Sequence, residues 1–294
     1  MSTDNRTSRP EVRSLIARFG FPHLLATTLA LVAATILLGI AAKATGSGLA
    51  CEANWPRCDG GPFNLFPATL PSFYEWIHRF VAMFAGFAIV GSAVAAWRSA
   101  AVDRRVASLV VLGMVLTPIQ VYLGRETVFQ YQMEILSLHF WTAVLIFSTY
   151  VTATVLVWKS KLTATHVTVA LGIGLVALPL HVALSPTDLG VVTDYSPTIQ
   201  LVQYGVTLAL LASVIVATMV GRWRLDDGRL IGLLGGSIVL AYTVSYLGRR
   251  SLMTFSPALD GLYLVVALAL SVVFVVGIWR SRAAGERSRD ALST

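Results

Sequence analysis

The sequence predicts an all-α polytopic membrane protein of eight transmembrane helices, built as two tandem four-helix bundles with both termini in the cytoplasm. Three observations carry that prediction. Charge is scarce, the apolar sequence falls into eight long uncharged runs, and short motifs recur at matching places in the two halves. Of the 294 residues 56% are hydrophobic and only 13% charged, and mean hydropathy is +0.73. A soluble domain of this size carries about a quarter charged residues.

The runs are residues 24–42, 80–97, 106–124, 135–158, 162–187, 195–221, 230–248 and 261–279. Each has close to the roughly 17–25 residues that a helix needs to cross the hydrocarbon core. Helix is the default because lipid offers no partner to open backbone groups. Pro118, Pro179, Gly235 and Gly236 lie inside runs, which membrane helices tolerate. The first run could be a signal peptide, with Ala42-Lys43-Ala44 resembling a cleavage site. It is too long for an h-region and is followed by more spans, which favours an uncleaved helix.

Lys and Arg set the orientation. Arg6, Arg9, Arg13 and Arg18 precede the first run; Arg98, Arg104, Arg105, Lys159, Lys161, Arg222, Arg224 and Arg229 fill alternate loops; Arg280, Arg282, Arg287 and Arg289 follow the last. Only Lys43, Arg57, Arg79, Arg125, Arg249 and Arg250 fall on the opposite side. The positive-inside rule puts both termini in the cytoplasm of a multi-pass cell-membrane protein, which requires an even number of spans. The net charge of +7 is explained by these loops, so lipid is an expected partner and nucleic acid is not.

The repeat is short but ordered. Gly124-Arg125-Glu126-Thr127 recurs as Gly248-Arg249-Arg250-Ser251, and fifteen residues beyond each glycine stand His139 and Tyr263. Pro71-Ser72, before Glu75 and His78, aligns with Pro197-Thr198, before Leu201 and Tyr204. Residues 1–160 and 161–294 then form two parallel units, with the chemistry in the first and a degenerate copy in the second.

The two cysteines, Cys51 and Cys58, fall in the first external loop. An oxidising exterior permits a structural disulfide there. A redox-active pair is the second reading, and a metal site the weakest, because zinc takes about four ligands and no His or further Cys is near.

Ionisable groups inside spans are costly and are functional candidates by default. The second span opens with Glu75 and His78, three apart and so on one helix face. The fourth opens with Glu134 and, within two turns, His139. Both spans run inward, so the two imidazoles sit at similar depth near the outer surface and can face each other if the helices are neighbours. Helix bundles build haem sites in this way. A single interfacial histidine, by contrast, is ordinarily a solvated polar residue, which is the reading for His23 and His166; His181, near the outer end of the fifth span, is a weaker ligand candidate.

These residues carry a resemblance. Thr45-Gly46-Ser47-Gly48-Leu49-Ala50-Cys51 and Trp55-Pro56-Arg57-Cys58-Asp59-Gly60, Glu75-x-x-His78-Arg79, Gln120-x-x-x-Gly124 and Leu138-His139 resemble the haem A synthase family over roughly residues 20–160. The resemblance implies oxidation of a methyl substituent of haem O to a formyl group, giving haem A for the terminal oxidase. It implies that His78 and His139 are iron ligands and that Glu75 is catalytic, stabilising positive charge or moving protons. Arg79 and Arg125 are candidates for the haem propionates, since arginine recognises carboxylates bidentately. Haem O synthase and terminal oxidase assembly proteins are the implied partners, and a homo-oligomer is compatible with them. Family members bind haem b in the second half through two histidines, where this chain has Tyr204 and Tyr263. That departure leaves a one-haem enzyme, an intermolecular electron donor, or a protein outside the parent chemistry. A non-catalytic membrane cytochrome and a haem-handling assembly factor are the competing functions.

Overall fold

The computed structural model describes residues 20–51, 54, 57–58, 66–185, 196–250 and 256–293, with the side chains of residues 250 and 284–293 left aside. The N-terminal arginines, and Trp55-Pro56 and Asp59-Gly60 of the loop motif, lie outside the described residues. Eight helices are long and apolar enough to span a membrane. They are α1 (Phe21–Ala44), α2 (Leu70–Arg98), α3 (Arg104–Phe129), α4 (Met133–Val157), α5 (Ala164–Leu184), α6 (Pro197–Arg224), α7 (Gly228–Arg250) and α8 (Pro257–Ser293). No strand occurs among the described residues.

Local chemistry marks the helix ends. Gly46, at φ 70°, takes the left-handed conformation that stops α1. Thr69 caps α2, its hydroxyl accepting from the Ser72 amide, with Pro71 in the first turn where no helical N–H is needed. Asp103 caps α3, Thr163 and His166 form a reciprocal capping box on α5, and Ser196 caps α6. Charged residues end the uncharged runs but not the helices. α2 begins ten residues before the run that starts at residue 80, and α3 continues to Phe129. Membrane interfaces accept such charges at helix ends, and this extension puts Glu75, His78, Arg79 and Arg125 on helical turns.

Asp227 opens α7. Its Oδ1 accepts from the amides of Arg229 (3.1 Å) and Leu230 (3.0 Å), and its Oδ2 pairs with Arg280 Nε at 3.0 Å. The Leu230 amide above all, and then Arg280 and the Arg229 amide, outweigh partial desolvation and hold this carboxyl below its ordinary value. A depressed folded value contributes stability that is present above the ordinary Asp range, about pH 4, and is lost as pH falls through the folded value. Asp227→Asn should therefore lower the thermal midpoint of the detergent-solubilised protein at neutral pH and make no difference at a pH below that value. An unchanged midpoint at neutral pH would rule out the charge of Asp227, and with it the pair to Arg280, as a contributor.

Each helix packs on its sequence neighbours within a set of four, and each set closes on itself: α1 also packs on α4, and α5 on α8. The sets meet where α6 lies against α1 and α4, and Ser148 on α4 hydrogen-bonds Tyr242 on α7. α4 and α6 are accordingly the most buried spans. Small residues permit close approach: a Cβ at Gly174 of α5 would lie 2.7 Å from Phe274 of α8 and 2.8 Å from Ser213 of α6. Large apolar side chains such as Phe87, Val239 and Leu268 point outward, as a lipid-facing surface requires, and Trp97 and Trp279 stand exposed toward the ends of α2 and α8.

Candidate functional site

The candidate residues gather where α1 and α3 end and α2 and α4 begin. Within the first four-helix cycle α2 and α4 stand opposite each other, so His78 and His139 approach the interior from two sides. They come within electrostatic range of one another. Each ring lies against a glycine of the adjoining helix. A Cβ at Gly39 of α1 would stand 3.0 Å from His78 Nε2, and one at Gly124 of α3 would stand 3.0 Å from His139 Cε1. Any larger residue would have to displace an imidazole. Gln120, one turn before Gly124, brings its Nε2 to 3.3 Å from His139 Nε2. The buried Nδ1 atoms of both histidines have no hydrogen-bond partner, and neither does Gln120 Oε1 or Arg79 Nη2. Buried polar atoms are ordinarily satisfied, so these four make this neighbourhood the candidate site.

Glu75 is 7% exposed, and its Oε1 accepts from Arg79 Nε at 2.9 Å. Arg79 Nη1 also donates to the carbonyl of Arg57 at 2.5 Å, tying α2 to the preceding loop. Cys51 and Cys58 are joined in a disulfide with Cα atoms 4.5 Å apart, and both sulfurs rest within 3.8 Å of the Ser72 carbonyl oxygen. The bridge thus anchors the loop on the first turn of α2. Arg125 is paired with Glu126, which also accepts from Gln130 Nε2 at 3.2 Å, and its guanidinium lies 4.4 Å from the centroid of Phe129. Among the described residues no cluster of three metal-ligating side chains occurs.

The second four-helix cycle repeats the frame with different contents. A Cβ at Gly248 would meet Tyr263 Oη at 3.1 Å, as one at Gly124 would meet His139, so the aligned positions correspond in space. Both tyrosines are buried and their hydroxyls engaged. Arg249 Nη1 donates to Tyr204 Oη at 2.8 Å, and Tyr263 Oη lies 2.8 Å from Ser185 Oγ. Gln203 Nε2 donates to the same Ser185 hydroxyl at 2.7 Å, and His181 Nδ1 lies 2.8 Å from Thr207 Oγ1. His181 is 2% exposed, and its Nε2, which has no hydrogen-bond partner, is packed so closely against Gly248 that a Cβ there would stand 2.6 Å away. His23 and His166 are exposed. Sequence reasoning missed Gly39 and Arg249. The doubled Gly-Arg motif was the signal for Arg249, and nothing short of the packing identifies Gly39.

Comparison with known proteins bears on residues 22–189, which match the model of a family described as cytochrome oxidase assembly protein. The heme A synthase of Bacillus licheniformis is 34% identical over 136 residues, covering 46% of this chain and 44% of the relative. That of Bacillus pumilus is 30% identical over 156 residues, covering 52% and 50%. A protoheme IX farnesyltransferase of Halobacterium salinarum is 39% identical over 107 residues, 36% of this chain but only 22% of that protein. The chain thus spans about half the length, or less, of the curated relatives it matches. No solved structure matches significantly. With the family match extending over more than half its length, across the helices that carry Glu75, His78 and His139, the chain belongs to the cytochrome oxidase assembly protein family.

Proposed function

We propose that the chain is a haem A synthase-like oxidoreductase, which oxidises a methyl substituent of haem O to a formyl group for terminal oxidase assembly. The convergence of His78 and His139 from opposite helices, each with an unpartnered buried Nδ1 and a glycine at its side, carries the reading. Two imidazoles in a bundle interior are of the residue type that would ligate a haem iron. In this reading His78 and His139 would hold the haem, and Arg79 and Arg125 would be available to its propionates. Haem iron, when bound, supplies the redox chemistry. Glu75, three residues from His78, holds or accepts a proton as the methyl carbon loses hydrogen.

Relatives named heme A synthase support the reaction. A relative named protoheme IX farnesyltransferase contains a similar segment, which supports a source of prenylated haem, haem O synthase, as a working partner. The basic residues gathered at the other end of the helices support assigning that end to the cytoplasm of the cell membrane. The two closed cycles of helices support a division into units near residue 160, the first holding the active site.

The test is co-expression with a haem O source and analysis of the extracted haems. Haem A is the expected product. Bound haem without haem A would favour a membrane cytochrome or a haem-handling assembly factor.

A further inference from the structure

Arg249 belongs to the last turn of α7, in the second half of the chain, yet its guanidinium lies against the first half. Besides its bond to Tyr204, Nη2 donates to the Leu136 carbonyl at 3.4 Å, and the guanidinium carbon stands 4.2 Å from the centroid of the Phe140 ring. Leu136 and Phe140 flank His139 on α4, and Arg249 is within electrostatic range of His139 itself. The residue is 6% exposed, and its Nε is buried with no partner. A second cation, Lys43, stands in the last turn of α1, half-buried. Lys43 is one turn beyond Gly39 on the same face of α1, and Gly39 is the residue against His78.

Charge accounting separates this pair from the other arginines of the site. Glu75 neutralises Arg79 and Glu126 neutralises Arg125. Among the described residues no carboxylate forms an ion pair with Arg249 or Lys43, and the buried Asp260 of α8 does not reach them. A buried cation without a counter-charge is strongly unfavourable. Buried Arg249 creates a demand for an anion beside the candidate site, and its unpartnered Nε is a donor to meet it, while half-buried Lys43 adds positive charge at the same end of the helices.

We infer that Arg249, with Lys43 at the same end of the helices, is an anion-binding residue that the second half contributes to the site of the first, and that its ligand is a carboxylate of the haem held by His78 and His139. The inference rests on the haem-binding reading of that site. It also gives the second half a role that survives the loss of its own histidines. The recognising chemistry is that of a carboxylate or phosphate, so an anionic lipid headgroup is the other source to be distinguished.

The test uses the purified full-length protein in detergent, titrated with iron protoporphyrin IX and separately with its dimethyl ester, which lacks the two charges. Optical spectra report binding. Wild type should prefer the free acid. R249Q should weaken free-acid binding roughly ten- to a hundred-fold, as expected for a lost charge-assisted bond, while leaving the ester nearly unchanged. R249K should recover part of the difference, and K43Q should reproduce a smaller version of it should R249Q fail to fold. Equal weakening of acid and ester, or no weakening, overturns the inference in favour of a packing role. Retained acid preference in R249Q, with loss of phosphatidylglycerol seen by native mass spectrometry, overturns it in favour of a lipid headgroup. Wild type that binds haem without acid preference sinks this inference alone. Wild type that binds no haem sinks the haem-site reading with it.

Discussion

If His78 and His139 hold a haem as proposed, alanine at either should remove stoichiometric haem from the purified protein and weaken haem affinity by at least about a hundred-fold. The magnitude follows from the chemistry of ligation: even the outer partners of a metal ligand cost roughly 10–100-fold when lost, and a direct iron ligand is worth more. The geometry explains why neither ring has a substitute. His78 and His139 approach from opposite helices, and the other buried histidine, His181, is enclosed in the second cycle by Thr207 and Gly248. Met at either position offers a thioether in place of the imidazole and should shift the optical spectrum rather than erase it. Enlarging Gly39 or Gly124 to alanine attacks the same site without replacing either histidine, because each new methyl would stand about 3.0 Å from a ring atom. Haem content and spectrum measured side by side decide the matter. If both alanine variants retain wild-type haem and spectrum, the ligand assignment is wrong, whatever the family resemblance.

Charge scarcity in the sequence located all eight spans, because the cost of ionised groups in hydrocarbon is large enough to write itself into composition. The uncharged runs alone do not mark the helix ends, because the same cost fades at the interface. α2 therefore runs ten residues beyond the uncharged stretch and takes in Glu75 and His78, which the sequence already places at the opening of the second span. The histidine pair was legible from matched depth on two spans of the same direction. The glycines that face the rings were not equally legible. Gly124 sits in a motif, whereas Gly39 is one small residue in an apolar helix, and its importance lies in which side chain packs against it. The aligned Tyr204 and Tyr263 suggested a lost second site. Only the packing reveals that Arg249 bonds the Tyr204 hydroxyl and Ser185 the Tyr263 hydroxyl, with Gln203 donating to Ser185 in turn. Arg249 is the clearest case of what a linear reading misses, since it lies in one repeat and packs on the other.

Glu75→Gln should leave haem binding intact and lower haem A formation by roughly 10²–10⁴-fold, the usual contribution of a positioned acid or base. The substitution keeps the shape and an acceptor oxygen for Arg79 but removes the charge and the exchangeable proton. Converting a methyl to a formyl group removes protons as well as electrons, so in the proposed reaction a carboxyl three residues from His78 would have a defined task. Extracts of the variant should accumulate haem O or a hydroxylated intermediate in place of haem A. The competing role is structural: Glu75 holds Arg79 at 2.9 Å, and Arg79 holds the carbonyl of Arg57, so the carboxylate also helps fasten the disulfide loop to α2. Arg79→Gln separates the two. If Glu75 serves only to anchor Arg79, both substitutions loosen the same loop and give the same phenotype, a weaker haem affinity with the product ratio unchanged. If Glu75 handles protons, Arg79→Gln weakens binding while Glu75→Gln stalls oxidation on a normally bound haem. Haem A formed by Glu75→Gln at the parental rate would exclude the catalytic role outright.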